Sequence, residues 1–197
     1  MTMTDDRLAS QIAFIVEIDK LKQVLRQTFV TDRSRRENSA EHSWHIAAMA
    51  LTLSEHAAPD VDPLRVLKML LIHDLVEIDA GDTFLYDGAA ASGQAAREAA
   101  AAERLYALLP ADQAVALKAL WVEFESSDSP DARFARALDQ LQPVLLNYHT
   151  EGGSWRAHAV SGADVLAKKR VIELGSPSLW RYAEALIRDS IAKGWLR

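Results

Sequence analysis

Residues 64–82 read LRVLKMLLIHDLVEIDAGD. Leu64, Val66, Leu67, Met69, Leu70, Leu71 and Ile72 leave nearly every side of the first part apolar, and a helix apolar all round belongs in a protein core. The run is too short to span a bilayer. Yet His73 and Asp74 stand side by side in it, and Glu77 follows one turn later. An ionised carboxylate buried beside an imidazole is costly unless something compensates. A bound divalent cation is the strongest compensation available. His73 and Asp74 are therefore candidate metal ligands, and the other helices are expected to bring them partners. Negative charge is also unfavourable at a helix C-terminus. Asp74, Glu77, Asp79 and Asp82 nevertheless crowd this end with no lysine or arginine among them. Such a conflict between local rules marks a place where a cation or a reaction is served.

Upstream, Ile12, Ile15, Val16, Ile18, Leu21, Val24 and Leu25 predict a first helix over 5–27, with Arg26 near its end. Residues 29–39 form a polar connection in which Arg33, Arg35 and Arg36 cluster, a composition suited to attracting phosphate. Ser39 is the expected N-cap of a helix over 39–57. His42 and His45 are three positions apart and share one face of it. Asp62 and Pro63 open the central helix as cap and first-turn proline, and it extends to about residue 78.

Downstream, 83–93 reads as a loop whose Ala/Gly part is expected to be mobile and able to cover a pocket. Helices follow over 94–109 and 112–124. Another begins at Pro130 behind Ser129, with Phe134, Leu138, Leu141 and Leu145 on one face and Asp139 flanking that stripe. Pro143 has no N–H to give the Asp139 carbonyl, so this helix is expected to distort at that turn. After a polar connection over 149–162, helices over 164–174 and 177–192 complete the chain. No β-alternation of useful length, repeat or second domain is visible, so the expectation is all-α, one domain over 1–197.

The 197 residues are 49% hydrophobic and 25% charged, as in ordinary globular proteins. A net charge of -6 disfavours a general nucleic-acid surface. The absence of cysteine excludes thiolate metal sites and suits a cytoplasmic location. The N-terminal MTMTDDRLAS lacks the layout of a signal peptide. No membrane association is expected.

His42, His73, Asp74 and Asp139 together offer two imidazoles and two carboxylates, a mixed set for one divalent first-row ion. Manganese, cobalt, zinc, iron or nickel suit it, and magnesium less so. Three ordered segments then carry a resemblance: ENSAEHSWH (37–45), IHDLVEIDAGD (72–82) and ARALDQLQP (135–143). Together they resemble the HD-domain superfamily of metal-dependent phosphohydrolases, in the branch of the bacterial 5'-deoxynucleotidase and the HD-domain-containing 2 proteins. The resemblance matches His42, His73, Asp74 and Asp139 to the ligand set. It implies hydrolysis of a small phosphate ester, a (deoxy)nucleoside 5'-monophosphate, by a homodimer. It gives Glu77 and Asp82 the handling of water and protons, and makes Arg26 the match for a phosphate-gripping residue. Arg33 and His45 are further candidates for substrate contact. Two other readings stay open: a phosphodiesterase or nucleotide pyrophosphohydrolase, and a metal-stabilised binding module without turnover.

Overall fold

The computed structural model describes residues 3–87 and 92–197, with side chains from Asp6 onward. The Ala/Gly part of the 83–93 loop, at 88–91, lies outside the described residues. In chain order the elements are α1 (Met3–Ile18), β1 (Leu25–Phe29), β2 (Arg36–Asn38), α2 (Ser39–Leu53), α3 (Pro63–Ile72), α4 (Glu77–Ala80), α5 (Gln94–Tyr106), α6 (Ala111–Ser126), α7 (Pro130–His149), α8 (Gly153–Ala157), α9 (Gly162–Lys169), α10 (Val171–Gly175) and α11 (Pro177–Ala192). The all-α expectation holds, and no helix of the described residues is long and apolar enough to cross a membrane.

α7 is the post around which the others pack. Ser129 caps it by accepting from the Ala132 N–H, and Pro130 sits in its first turn. Its Phe134, Leu138, Leu141 and Val144 are buried against α2, α3, α10 and α11. The approach of α10 is so close that a Cβ at Gly175 would lie 2.2 Å from the Arg133 carbonyl oxygen. α7 runs unbroken through Pro143, so the proline costs one backbone hydrogen bond without ending the helix. A second apolar cluster joins Phe14 of α1 and Leu21 to Tyr106 of α5 and Trp121 of α6.

Three local expectations are corrected. The first helix stops at Ile18; a 3-10 turn (Asp19–Gln23) leads into β1, which pairs antiparallel with β2. Strands of five and three residues with irregular register are too short for alternation to show in the sequence. Asn38 rather than Ser39 caps α2, in a capping box with Glu41. The central helix does not reach 78 as one α-helix: it tightens into a 3-10 turn at His73–Val76, resumes as α4, and ends at Gly81, whose φ of 75° suits glycine.

Candidate metal centre

The 3-10 turn presents His73 and Asp74 side by side, α2 supplies His42, and α7 supplies Asp139. One ligand atom each of His42, His73 and Asp139 lie within 4.8 Å of one another. Asp74 completes the ring: its Oδ1 is 3.0 Å from His73 Nε2, and its Oδ2 is 3.9 Å from His42 Nε2. Asp139 Oδ1 stands 3.0 Å from His42 Nε2 and 3.7 Å from His73 Nε2. All four expected ligands therefore converge, from three separate parts of the chain.

The proton positions decide whether the set fits a cation. His73 Nδ1 lies 2.9 Å from the Leu70 carbonyl oxygen, which can only accept, so Nδ1 carries the hydrogen and Nε2 keeps its lone pair in the neutral ring. His42 Nδ1 faces the buried Glu37 carboxylate at 3.8 Å, and a proton held there leaves Nε2 free in the same way. Two nitrogen lone pairs and two carboxylates then point at one spot. They repel one another unless positive charge sits between them, and a divalent cation supplies it. In the metal-free chain the demand falls on His73: burial opposes its charge, but Asp74 and Asp139 outweigh burial and push its pKa well above the ordinary value. Loading the metal is expected to stabilise the fold. Saturation at about 100 times Kd adds about 2.7 kcal/mol, a rise of roughly 5–10 °C in Tm that a chelator reverses; an unchanged melting curve with manganese and with chelator would exclude a site of that affinity.

Around this ring stand the proton-handling groups. Glu77 follows Asp74 by three positions across the 3-10 turn, where side chains so spaced eclipse. Ser39, freed from capping duty, donates its hydroxyl to Glu77 Oε2 at 2.6 Å. Burial and then the Asp74 charge raise the Glu77 pKa well above the usual range. Asp82, beyond Gly81, is also raised, by burial first, with Arg26 opposing and Asp74 and Asp139 adding. Arg26 is on β1 rather than at a helix end, and the strand pairing aims it inward: Nη1 is 2.9 Å from Asp74 Oδ2 and 3.7 Å from Asp82 Oδ1. Arg26, His73, Asp74, Glu77, Asp82 and Asp139 all line one cavity of about 500 Å³, whose wall continues through Phe84, Tyr86 and Trp155.

Two expected contacts are not brought there. Arg33 is exposed and pairs with Glu151 at 2.9 Å, while Arg35 pairs with Glu41, so these two arginines serve surface ion pairs. His45 sits behind the ring, with Nδ1 3.3 Å from Gln142 Nε2. Reading the sequence for chemistry missed Glu37, 3% exposed, which accepts from Thr28 and Gln142 and backs His42. It also missed Gln140, whose amide donates to Asp139 Oδ2 at 2.7 Å and so turns Oδ1 toward the histidines. The available signal was position: both lie within the motif segments, at 37–45 and 135–143.

Comparison with known proteins points to one family. A family model described as HD domain matches residues 18–180. The chain is 32% identical to the 5'-deoxynucleotidase HDDC2 of Bos taurus over 73% of its length and 69% of that protein, and 29% identical to the Homo sapiens protein of the same name over 69% and 66%. A crystal structure described as a predicted metal-dependent phosphohydrolase from Magnetospirillum magnetotacticum MS-1 superposes with a TM-score of 0.95 at 54% identity, covering 99% of this chain and 98% of that one. A conserved hypothetical protein from Pyrococcus furiosus shares the fold at 21% identity, with a TM-score of 0.63 over 92% and 99%. The chain belongs to the HD-domain family of metal-dependent phosphohydrolases that its three motif segments resemble.

Proposed function

We propose that this protein hydrolyses nucleoside 5'-monophosphates, deoxynucleotides in particular, to nucleoside and phosphate, with one divalent transition metal held by His42, His73, Asp74 and Asp139. The observation that carries the reading is the shared cavity. His73, Asp74 and Asp139 of the ligand cluster, the raised-pKa carboxyls and Arg26 open on one space of about 500 Å³, a size suited to a small molecule. The relatives named 5'-deoxynucleotidase support the choice of ester.

When bound, the metal lowers the pKa of water and neutralises phosphoryl oxygens. Glu77, fixed by Ser39, holds the attacking water and takes its proton; a glutamate with a raised pKa is a better base near neutrality than an ordinary one. The water oxygen joins phosphorus as the bond to the 5'-oxygen breaks. Asp82, raised toward its protonated form, gives that oxygen a proton, so the nucleoside leaves neutral. Arg26 contributes positive charge beside the phosphate. Phe84, Tyr86 and Trp155 supply an aromatic wall for a base.

The test is phosphate release from each deoxy- and ribonucleoside 5'-monophosphate with manganese, cobalt, zinc and magnesium. Release is expected with a transition metal, and none from a phosphodiester. Pyrophosphate from a triphosphate, or cleavage of a diester alone, would move the chain to another HD activity. No turnover with any metal or substrate would leave a metal-stabilised binding module.

A further inference from the structure

A lysine in the last turn of a helix is ordinarily a solvated complement to the helix dipole. Lys168 of α9 is exposed at the edge of the cavity, where its ammonium donates to the Leu85 carbonyl oxygen and lies 5.1 Å from the Tyr86 ring centroid. Lys169, next to it and last in α9, is 3% exposed and lines the cavity that holds the metal ligands. Its Nζ donates to Gln140 Oε1 at 2.7 Å, and the other end of the same amide donates to Asp139 Oδ2. Among the described residues no carboxylate forms an ion pair with it. A buried ammonium held only by a neutral amide oxygen keeps donors and charge in reserve. The reserve is felt as a cost: burial pulls the Lys169 pKa down to about 8, against the opposing field of Asp139.

The two arginines lining the cavity are differently placed, and Arg136 gives its Nη1 to the Phe124 carbonyl oxygen and its Nη2 to that of Ser127. Arg26 is already engaged by Asp74 at 2.9 Å, with Asp82 and Glu37 each at 3.7 Å. Asp74, Glu77, Asp82 and Asp139 face the same space. A phosphate dianion entering it needs a cationic donor that those carboxylates have not taken. Building on the phosphomonoesterase reading above, we infer that Lys169 is a substrate-binding residue, whose ammonium donates to a phosphoryl oxygen of the bound ester. Gln140 is the positioning residue: through one amide it sets both the lysine and the Asp139 carboxylate. An incoming phosphate gives the buried ammonium the anion that the folded chain withholds from it.

The experiment is titration of inorganic phosphate into the manganese-loaded full chain by calorimetry, on wild type, K169M and K169R, with bound manganese measured on each. K169M is expected to bind phosphate about 10- to 100-fold more weakly, the loss of a charge-assisted hydrogen bond, at unchanged manganese content. K169R restores most of the affinity, and the KM for the ester follows the phosphate Kd. Phosphate bound by K169M as tightly as by wild type overturns the assignment. So does a loss of phosphate that comes only with loss of manganese, which would make Lys169 a support for Asp139. K169Q serves the same comparison if the methionine variant does not fold. Phosphate binding needs no turnover. A wild-type chain that cleaves no nucleotide but binds phosphate through Lys169 sinks the nucleotidase reading alone. A wild-type chain that cleaves nucleotides while its phosphate affinity ignores Lys169 sinks this inference alone.

Discussion

Asp74→Asn is expected to leave the chain without its metal and without turnover. The substitution keeps the shape of the side chain and removes only its charge. That charge is placed where it matters most: Oδ1 faces His73 Nε2 at 3.0 Å, and Oδ2 takes Arg26 Nη1 at 2.9 Å. Burial works against ionisation here, yet His73 and Arg26 outweigh it and hold the Asp74 pKa at about 2. The carboxylate is therefore ionised at any working pH and ready to bind a cation. Losing an outer-shell partner of a metal ligand costs about 10–100-fold in affinity; losing a ligand's own charge costs more. Metal content after dialysis and phosphate release check this directly, and a variant that retains stoichiometric manganese and wild-type turnover would remove Asp74 from the centre.

A pH signature accompanies the same substitution in the metal-free chain. The folded pKa of Asp74 lies below its unfolded value of 3.8, so its contribution to stability is present above that value. It is lost as pH falls through about 2. Wild type is thus more stable than the asparagine variant at neutral pH, and the difference closes on acidification. Denaturant midpoints across that range report it.

Glu77→Gln is the second large effect, and it separates proton handling from metal holding. Glu77 is hydrogen-bonded by Ser39 and is not one of the four residues proposed to hold the metal. The metal should therefore stay while the base is lost. Turnover is expected to fall by about 10²- to 10⁴-fold, the usual value of a positioned general base. The sign of the pH dependence follows from the raised pKa. Burial and Asp74 keep a proton on Glu77 to higher pH than on an ordinary glutamate, so kcat/KM of wild type rises with pH as that proton leaves. In the glutamine variant this acidic limb disappears from the residual activity. A variant that lost its manganese, or that kept the limb, would show Glu77 to be a ligand or a bystander instead.

Much of the centre was legible because its chemistry contradicts its surroundings. His73 and Asp74 interrupt an apolar helix, and acids gather at a helix end where the dipole disfavours them. His42 and Asp139 needed the motif segments as well, since a lone histidine or a flanking aspartate has many ordinary uses. Arg26 was legible as a residue but not as a placement. The helical spacing of its neighbours predicts a helix end there, whereas strand pairing with Arg36–Asn38 turns it inward. Arg33 and His45 show the reverse, with suggestive chemistry in sequence and contacts elsewhere in space.

The order of polar and apolar residues along this chain was by itself enough to predict a helical fold and to mark His73 and Asp74 as candidate metal ligands, because burial energies and helix periodicity are local and repeat along the chain; the class of reaction came from the likeness of the three motif segments to a known family. Only the tertiary structure decided that Ser39 holds Glu77 rather than capping a helix, that Glu37 backs His42, and that Lys169 reaches the cavity from α9. Each of those depends on the direction of a side chain after distant segments have packed. A hydrogen bond between residues tens of positions apart leaves no periodic trace along the chain.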